Sequence, residues 1–306
     1  MSLVKRAMKG LVVGVLSVSV LAPLASPAAA DDPPFVSWTT MLPSFTSKYD
    51  PTSSNDCTAG RSNCVDITIR EMQRRFDPLA AACDHNAVFA LSYLRTTQTY
   101  KAARDEPGFF VDTAFVNHED AVFAGYYFDA YDAWAKGAAT PGAWKVAFDA
   151  ARARSLSGTG NLFLGMNAHV NRDLAFVLAD IGLTFPDGTS RKADHDKVNV
   201  FLNRVIDPLL TEEAAHFDAA MDDASAIPLM LGYTSTFQML AAWREAAWRN
   251  AERLVNAPDA ASRAAVAASI EQSATLMAQT IKLATAYVWP LQSSASRDAF
   301  CAAHPY

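Results

Sequence analysis

His169 and Asp173 stand four residues apart within Gly160–Ile181, a stretch that has no proline and is apolar on most sides. At that spacing on a helix the two side chains share a face, where an imidazole and a carboxylate can act as a metal-ligand pair or as a hydrogen-bonded pair. Asn167 and Asn171 make a second i,i+4 pair on roughly the opposite face. Polar groups inside a buried helix need partners, water or a metal, because leaving them unsatisfied is costly. The stretch reads as a central buried helix that carries a site.

Three further histidines have a common setting. His85, His118 and His195 each follow a candidate N-cap, namely Asp84, Asn117 and Asp194. The positive end of a helix disfavours a charged imidazole, and neutral imidazole is the form that binds metal or accepts a proton. Glu119 and Asp120 fall in the first turn after Asn117, where an acidic residue suits the helix dipole and could serve as general base. One reading makes His169, Asp173, His118 and His195 the ligands of a divalent metal such as zinc. Asn167, Asn171, His85 and Asn199 would surround it, and bound metal would lower the pKa of a water to generate hydroxide. The other reading makes these ordinary capped helix starts and a satisfied core network. Glu213-Ala-Ala-His216 matches half of a di-iron carboxylate site, but no second Glu-x-x-His is present, so the match is taken as chance. Gly-x-Ser-x-Gly is also missing.

The elements that would position these residues are helical throughout. Ile67, Ile69, Met72 and Phe76 recur at helical spacing until Pro78 interrupts them. A second helix runs from Asp84 to about Ala103. A third, from Asn117 to near Gly137, carries Phe123, Tyr126, Tyr127, Tyr131 and Trp134. Pro141 opens a fourth in its first turn, with Trp144 and Phe148 facing inward. Ser157-Gly158-Thr159-Gly160 leads into the central helix as a turn. Asp194 starts another helix, which Pro208 kinks or restarts, and residues 236–255 and 259–287 form two long Ala-rich helices. No alternating strand pattern appears. The expected fold is all-α, with about eight helices in one domain over residues 64–306, preceded by an extended arm at 31–63.

Residues 1–30 have the features of a secretory signal peptide: basic Lys5, Arg6 and Lys9, the apolar run Leu11–Leu24, then Pro27-Ala28-Ala29-Ala30. No later stretch has the length and apolarity of a membrane span. Removing those three basic residues takes the formal net charge from −6 to −9, so the overall field does not favour nucleic acid or an anionic membrane. The even set Cys57, Cys64, Cys83 and Cys301 suits an oxidising, extracellular setting. Cys57 and Cys64 flank a short polar loop and are paired here, leaving Cys83 for Cys301.

Three stretches together carry a resemblance: Asn167-Ala-His-Val-Asn-Arg-Asp-Leu174, His195-Asp-Lys-Val-Asn199, and Arg244-Glu-Ala-Ala-Trp-Arg-Asn-Ala-Glu252. They resemble a mainly helical, mostly bacterial family catalogued as a domain of unknown function, from about Cys57 to the last long helix. That resemblance implies one helical domain and no established activity. His169-x-x-x-Asp173 is also similar to an element of the secreted, all-helical zinc phospholipase C and single-strand nuclease group. The chain departs from that group in having no His-x-x-x-Glu partner and no tryptophan at the expected mature N-terminus, Asp31.

The functional expectations are therefore two. One is a secreted metal-dependent hydrolase of esters or phosphodiesters. The other is a non-catalytic extracellular protein that binds a small or lipid-like molecule through exposed aromatics of the third helix, or has a structural role.

Overall fold

The computed structural model describes residue 42 and residues 44–222, 233–290 and 292–306, so the expected signal peptide lies outside the described residues. Ten α-helices are labelled here: α1 (Ser62–Ala81), α2 (Ala87–Arg104), α3 (Thr113–Ala135), α4 (Gly142–Arg152), α5 (Gly158–Met166), α6 (Leu174–Ile181), α7 (Lys192–His216), α8 (Tyr233–Val255), α9 (Ala260–Thr285) and α10 (Ala295–Ala303). Between α5 and α6 the chain passes through a π-helical segment, Asn167–Asp173. The three pieces make one central helix from Gly158 to Ile181. Among the described residues there is no strand, and no helix is long and apolar enough to cross a membrane.

The central helix is enclosed as its apolarity requires. Its π segment packs against α3, α4, α8 and α9. Close approach to α2 depends on Gly165, where a Cβ would lie 2.3 Å from the Phe89 ring. Trp144 of α4 is fully buried and stacks on Phe148 at 5.0 Å. Tyr127, Tyr131 and Trp134 of α3 are buried against that pair. These aromatics are core, which corrects the expectation that they form an exposed binding face. Arg75 joins α1 to α3, pairing with Glu71 and with Asp132, both at 2.6 Å.

The helix starts differ from the sequence reading, for a reason that bears on the histidines. Thr113 begins α3, because the Asp112 carboxylate accepts from the Phe115 amide and caps the helix there. Asn117 and His118 consequently lie inside α3. Asp84 accepts from the Asn86 amide in a turn ahead of α2, so His85 precedes that helix. Asp194 lies within the first turn of α7, and its carboxylate accepts from the amides of Val111 and Asp112. It thus caps the approach to α3 instead of its own helix. Pro78 and Pro208 are accommodated inside α1 and α7, neither of which breaks.

Both expected cysteine pairs are present as disulfides, Cys57–Cys64 and Cys83–Cys301. The second fastens α10 to the end of α1.

Candidate functional site

His169 is held on one side only. Its Nδ1 lies 3.2 Å from Asp173 Oδ2, so Nδ1–H donates to the carboxylate and Nε2 is left without a proton. Asp173 is fully engaged: Oδ2 also accepts from Trp144 Nε1 at 2.8 Å, and Oδ1 accepts from Arg172 Nη1 at 2.6 Å. Arg172 continues to Glu271 on α9. The imidazole lies flat on Phe123, with centroids 3.5 Å apart and planes 4° from parallel. Burial lowers its pKa, and hydrogen bonding to Asp173 opposes that shift. Nε2 is buried and has no hydrogen-bond partner.

This imidazole lines a cavity of about 140 Å³ between α2, α3, the central helix, α7 and α8. The wall is mostly apolar, with Phe201, Leu202, Val205 and Ile206 from α7 and Leu240 from α8. Into the same wall fall Tyr93, Thr97, Glu119, Asp120 and Arg244. Tyr93 Oη, Thr97 Oγ1, Asp120 Oδ2 and Arg244 Nε are, like His169 Nε2, buried and unpartnered. Each such group costs about 1–3 kcal/mol. Five around one cavity mark a site kept for something other than stability.

The electrostatics of the wall are unusual. Burial pushes the Glu119 carboxyl up to about 7, with Arg244 pulling it down and Asp194 pushing it further up. Burial pushes Asp120 up to about 8, opposed by Arg104. Burial lowers the Arg244 guanidinium to about 10, against the pull of Glu119. Two carboxylic acids that keep their protons near neutrality thus stand beside a buried cation and a basic imidazole nitrogen. Shifts of this kind, in a cleft, point to a functional site.

The other expected site residues are occupied elsewhere. His118 lies with Nδ1 2.8 Å from the Cys57 carbonyl and Nε2 2.9 Å from the Ser47 carbonyl, pinning the preceding arm to α3. His195 donates from Nε2 to the Arg244 carbonyl and accepts at Nδ1 from Arg244 Nη2. His85 donates to Asp298 and accepts from Arg297, both on α10. Asn167 donates to the Ala274 carbonyl and accepts from Asn171, which docks the central helix on α9. Asn199 Oδ1 is buried and unpartnered, but the residue is not part of the cavity wall. The four expected metal ligands are not brought together, and no group of three or more metal-ligating side chains occurs among the described residues. Glu119 and Asp120, expected as acid–base groups, do face the cavity with His169.

Sequence reasoning missed Tyr93, Thr97 and Arg244. Each had a signal. Tyr93, Thr97 and Tyr100 follow i, i+4, i+7 spacing on one face of α2, a stripe of polar tips on a buried helix. Arg244 interrupts the buried stripe Leu240, Ala247, Trp248 and Ala251 of α8.

No curated protein and no solved structure matches the chain. A family model does, that of a family of unknown function, DUF5995, over residues 65–284. That span runs from α1 to the end of α9 and contains every residue of the cavity wall, so the chain belongs to the DUF5995 family.

Proposed function

We propose that the cavity is a binding site for a small, mainly apolar molecule with one polar head. The coincidence of an apolar cavity and five orphaned polar atoms carries this reading. The volume is close to that of the engineered cavity of about 150 Å³ that admits benzene. An occupant of about six to nine heavy atoms is therefore the right size. Two disulfides support an exported protein in an oxidising compartment. The test is thermal unfolding of the full chain with a neutral probe, toluene. Toluene at about a hundred times its Kd should stabilise the protein by roughly 2.7 kcal/mol. Filling the space with Leu240→Trp should remove that gain. No stabilisation by toluene, benzyl alcohol or benzoate at pH 6 would refute the reading.

A second reading, hydrolysis of a small ester or phosphodiester, is favoured by the His169–Asp173 pair. An imidazole whose Nδ1–H is fixed by a carboxylate offers Nε2 as a general base for water. The residues present do not fit the expected metal centre. Both ring nitrogens of His118 and His195 are engaged, and both oxygens of Asp173 already accept hydrogen bonds. The hydrolytic reading therefore rests on acid–base chemistry by His169, with Glu119 and Asp120 as proton donors. If it holds, phenyl acetate turnover should fall by about 10²–10⁴ in His169→Gln. Equal turnover by the two proteins would exclude it.

A further inference from the structure

We propose that the molecule bound in the cavity is a small carboxylic acid, its carboxylate seated on the guanidinium of Arg244 and its apolar body among the side chains of α7. This rests on reading the cavity as a ligand site.

Arg244 is 5% exposed, and the geometry shows how it is held. Nη2 donates to the His195 carbonyl at 2.7 Å and to His195 Nδ1 at 3.3 Å. His195 Nε2 donates in return to the Arg244 backbone carbonyl. His195 is thus a positioning residue that fixes the plane of the guanidinium from behind. Nε remains without a partner. Among the described residues no carboxylate oxygen lies within ion-pair distance of this guanidinium. A buried cation is expensive unless an anion meets it, and a guanidinium fork is suited to a carboxylate.

Glu119 is the carboxyl that acts most strongly on Arg244 from within, and its neighbours determine when it competes. Facing it are Arg244 from α8, Arg191 and Asp194 from the start of α7, and Asp120 from its own helix. Arg191 is paired with Asp112 and lies over the Phe115 ring, while Asp194 serves the amides of Val111 and Asp112. Tyr93 and Tyr100 of α2 feel both Glu119 and Asp120, and Arg104 of α2 faces Asp120. His169 completes the wall from the central helix. With Glu119 protonated, the charge still acting on Arg244 from within is that of Asp196, an exposed residue of α7 outside the cavity wall, so an incoming carboxylate meets a guanidinium with no buried counter-ion. Above about pH 7 Glu119 ionises and neutralises Arg244 from within. A ligand carboxylate would then meet a second negative charge. Binding is therefore linked to proton uptake at Glu119, and affinity falls as pH rises through 7.

The test compares benzoate with benzyl alcohol, a neutral probe of matching shape, by calorimetry on the full chain at pH 6 and pH 8.5. Benzoate is ionised at both values. It should bind more tightly than benzyl alcohol at pH 6, and lose about tenfold or more in affinity by pH 8.5 with proton uptake on binding. Arg244→Gln should abolish the advantage of benzoate over benzyl alcohol. Glu119→Gln removes the first competing charge, so benzoate should lose less affinity between pH 6 and pH 8.5 than with the wild type. Glu119→Gln with Asp120→Asn, which also removes the carboxyl that titrates at about 8, should bind benzoate equally at both. If benzyl alcohol binds and benzoate binds no better at pH 6, the carboxylate proposal is overturned while the cavity remains a ligand site. If neither binds at pH 6, both readings are overturned.

Discussion

Asp173→Ala is expected to lower the free energy of unfolding by about 3–5 kcal/mol, the range found when one partner of a buried ion pair is removed. Three donors converge on that carboxylate: Trp144 Nε1, His169 Nδ1 and Arg172 Nη1. Alanine would strand all of them in the interior and leave a cavity. Asp173→Asn keeps the shape and one carbonyl acceptor while losing the charge facing Arg172. Its cost should be smaller, about 1–3 kcal/mol. Urea titrations of the two variants and the wild type give the ordering. A loss below 1 kcal/mol for the alanine variant would mean that the network is not formed. Repeating the wild-type titration with a chelator tests the metal reading of the same pair, because a bound ligand stabilises the native state by mass action. No chelator dependence is expected.

Opening the Cys83–Cys301 disulfide should have an effect of similar size. The bridge closes a loop across a sequence separation of 218, for which the chain-entropy relation gives about 5 kcal/mol. Engineered and native bridges commonly deliver less, so 2–5 kcal/mol is the expected loss for the double variant Cys83→Ser, Cys301→Ser. The bridge secures α10, whose buried Arg297 reaches His85 Nδ1, the Leu156 carbonyl and Asn161 Oδ1. Thermal unfolding of the double variant measures this. A loss under 1 kcal/mol would show that the Arg297 contacts dock α10 without help.

Periodicity was enough to read the class of the fold. Apolar residues at helical spacing and the lack of alternating runs exclude a sheet, and the two long Ala-rich segments are α8 and α9 within a few residues. The helix starts were less legible. Asn117 has the right chemistry for a cap, but Asp112 lies nearer the true start, and Asn117 instead serves Tyr100, Arg104 and the Gly60 carbonyl. That error moved His118 to a helix end it does not occupy. The site was half legible. His169 with Asp173, and Glu119 with Asp120, are each local in sequence, so spacing on one helix reveals them. Tyr93, Thr97 and Arg244 meet them only because α2 and α8 pack against the central helix. Such meetings depend on tertiary arrangement, which helical spacing does not encode.

The backbone around His169 makes a wide turn, with the Leu174 amide bonded to the His169 carbonyl in an i→i+5 step. Such a turn is equivalent to one residue inserted into an α-helix. The apolar faces of α5 and α6 are consequently out of phase with each other by that residue. Deleting a single residue between Asn167 and Asp173 would restore regular winding while barely changing composition. It would also rotate everything beyond it, so that a side chain at the position of Asp173 no longer met Trp144 and His169 together. What distinguishes this site is therefore a count of residues as much as their kind. A chain with the same histidine and aspartate but one fewer residue between α5 and α6 would keep the letters and lose the meeting point.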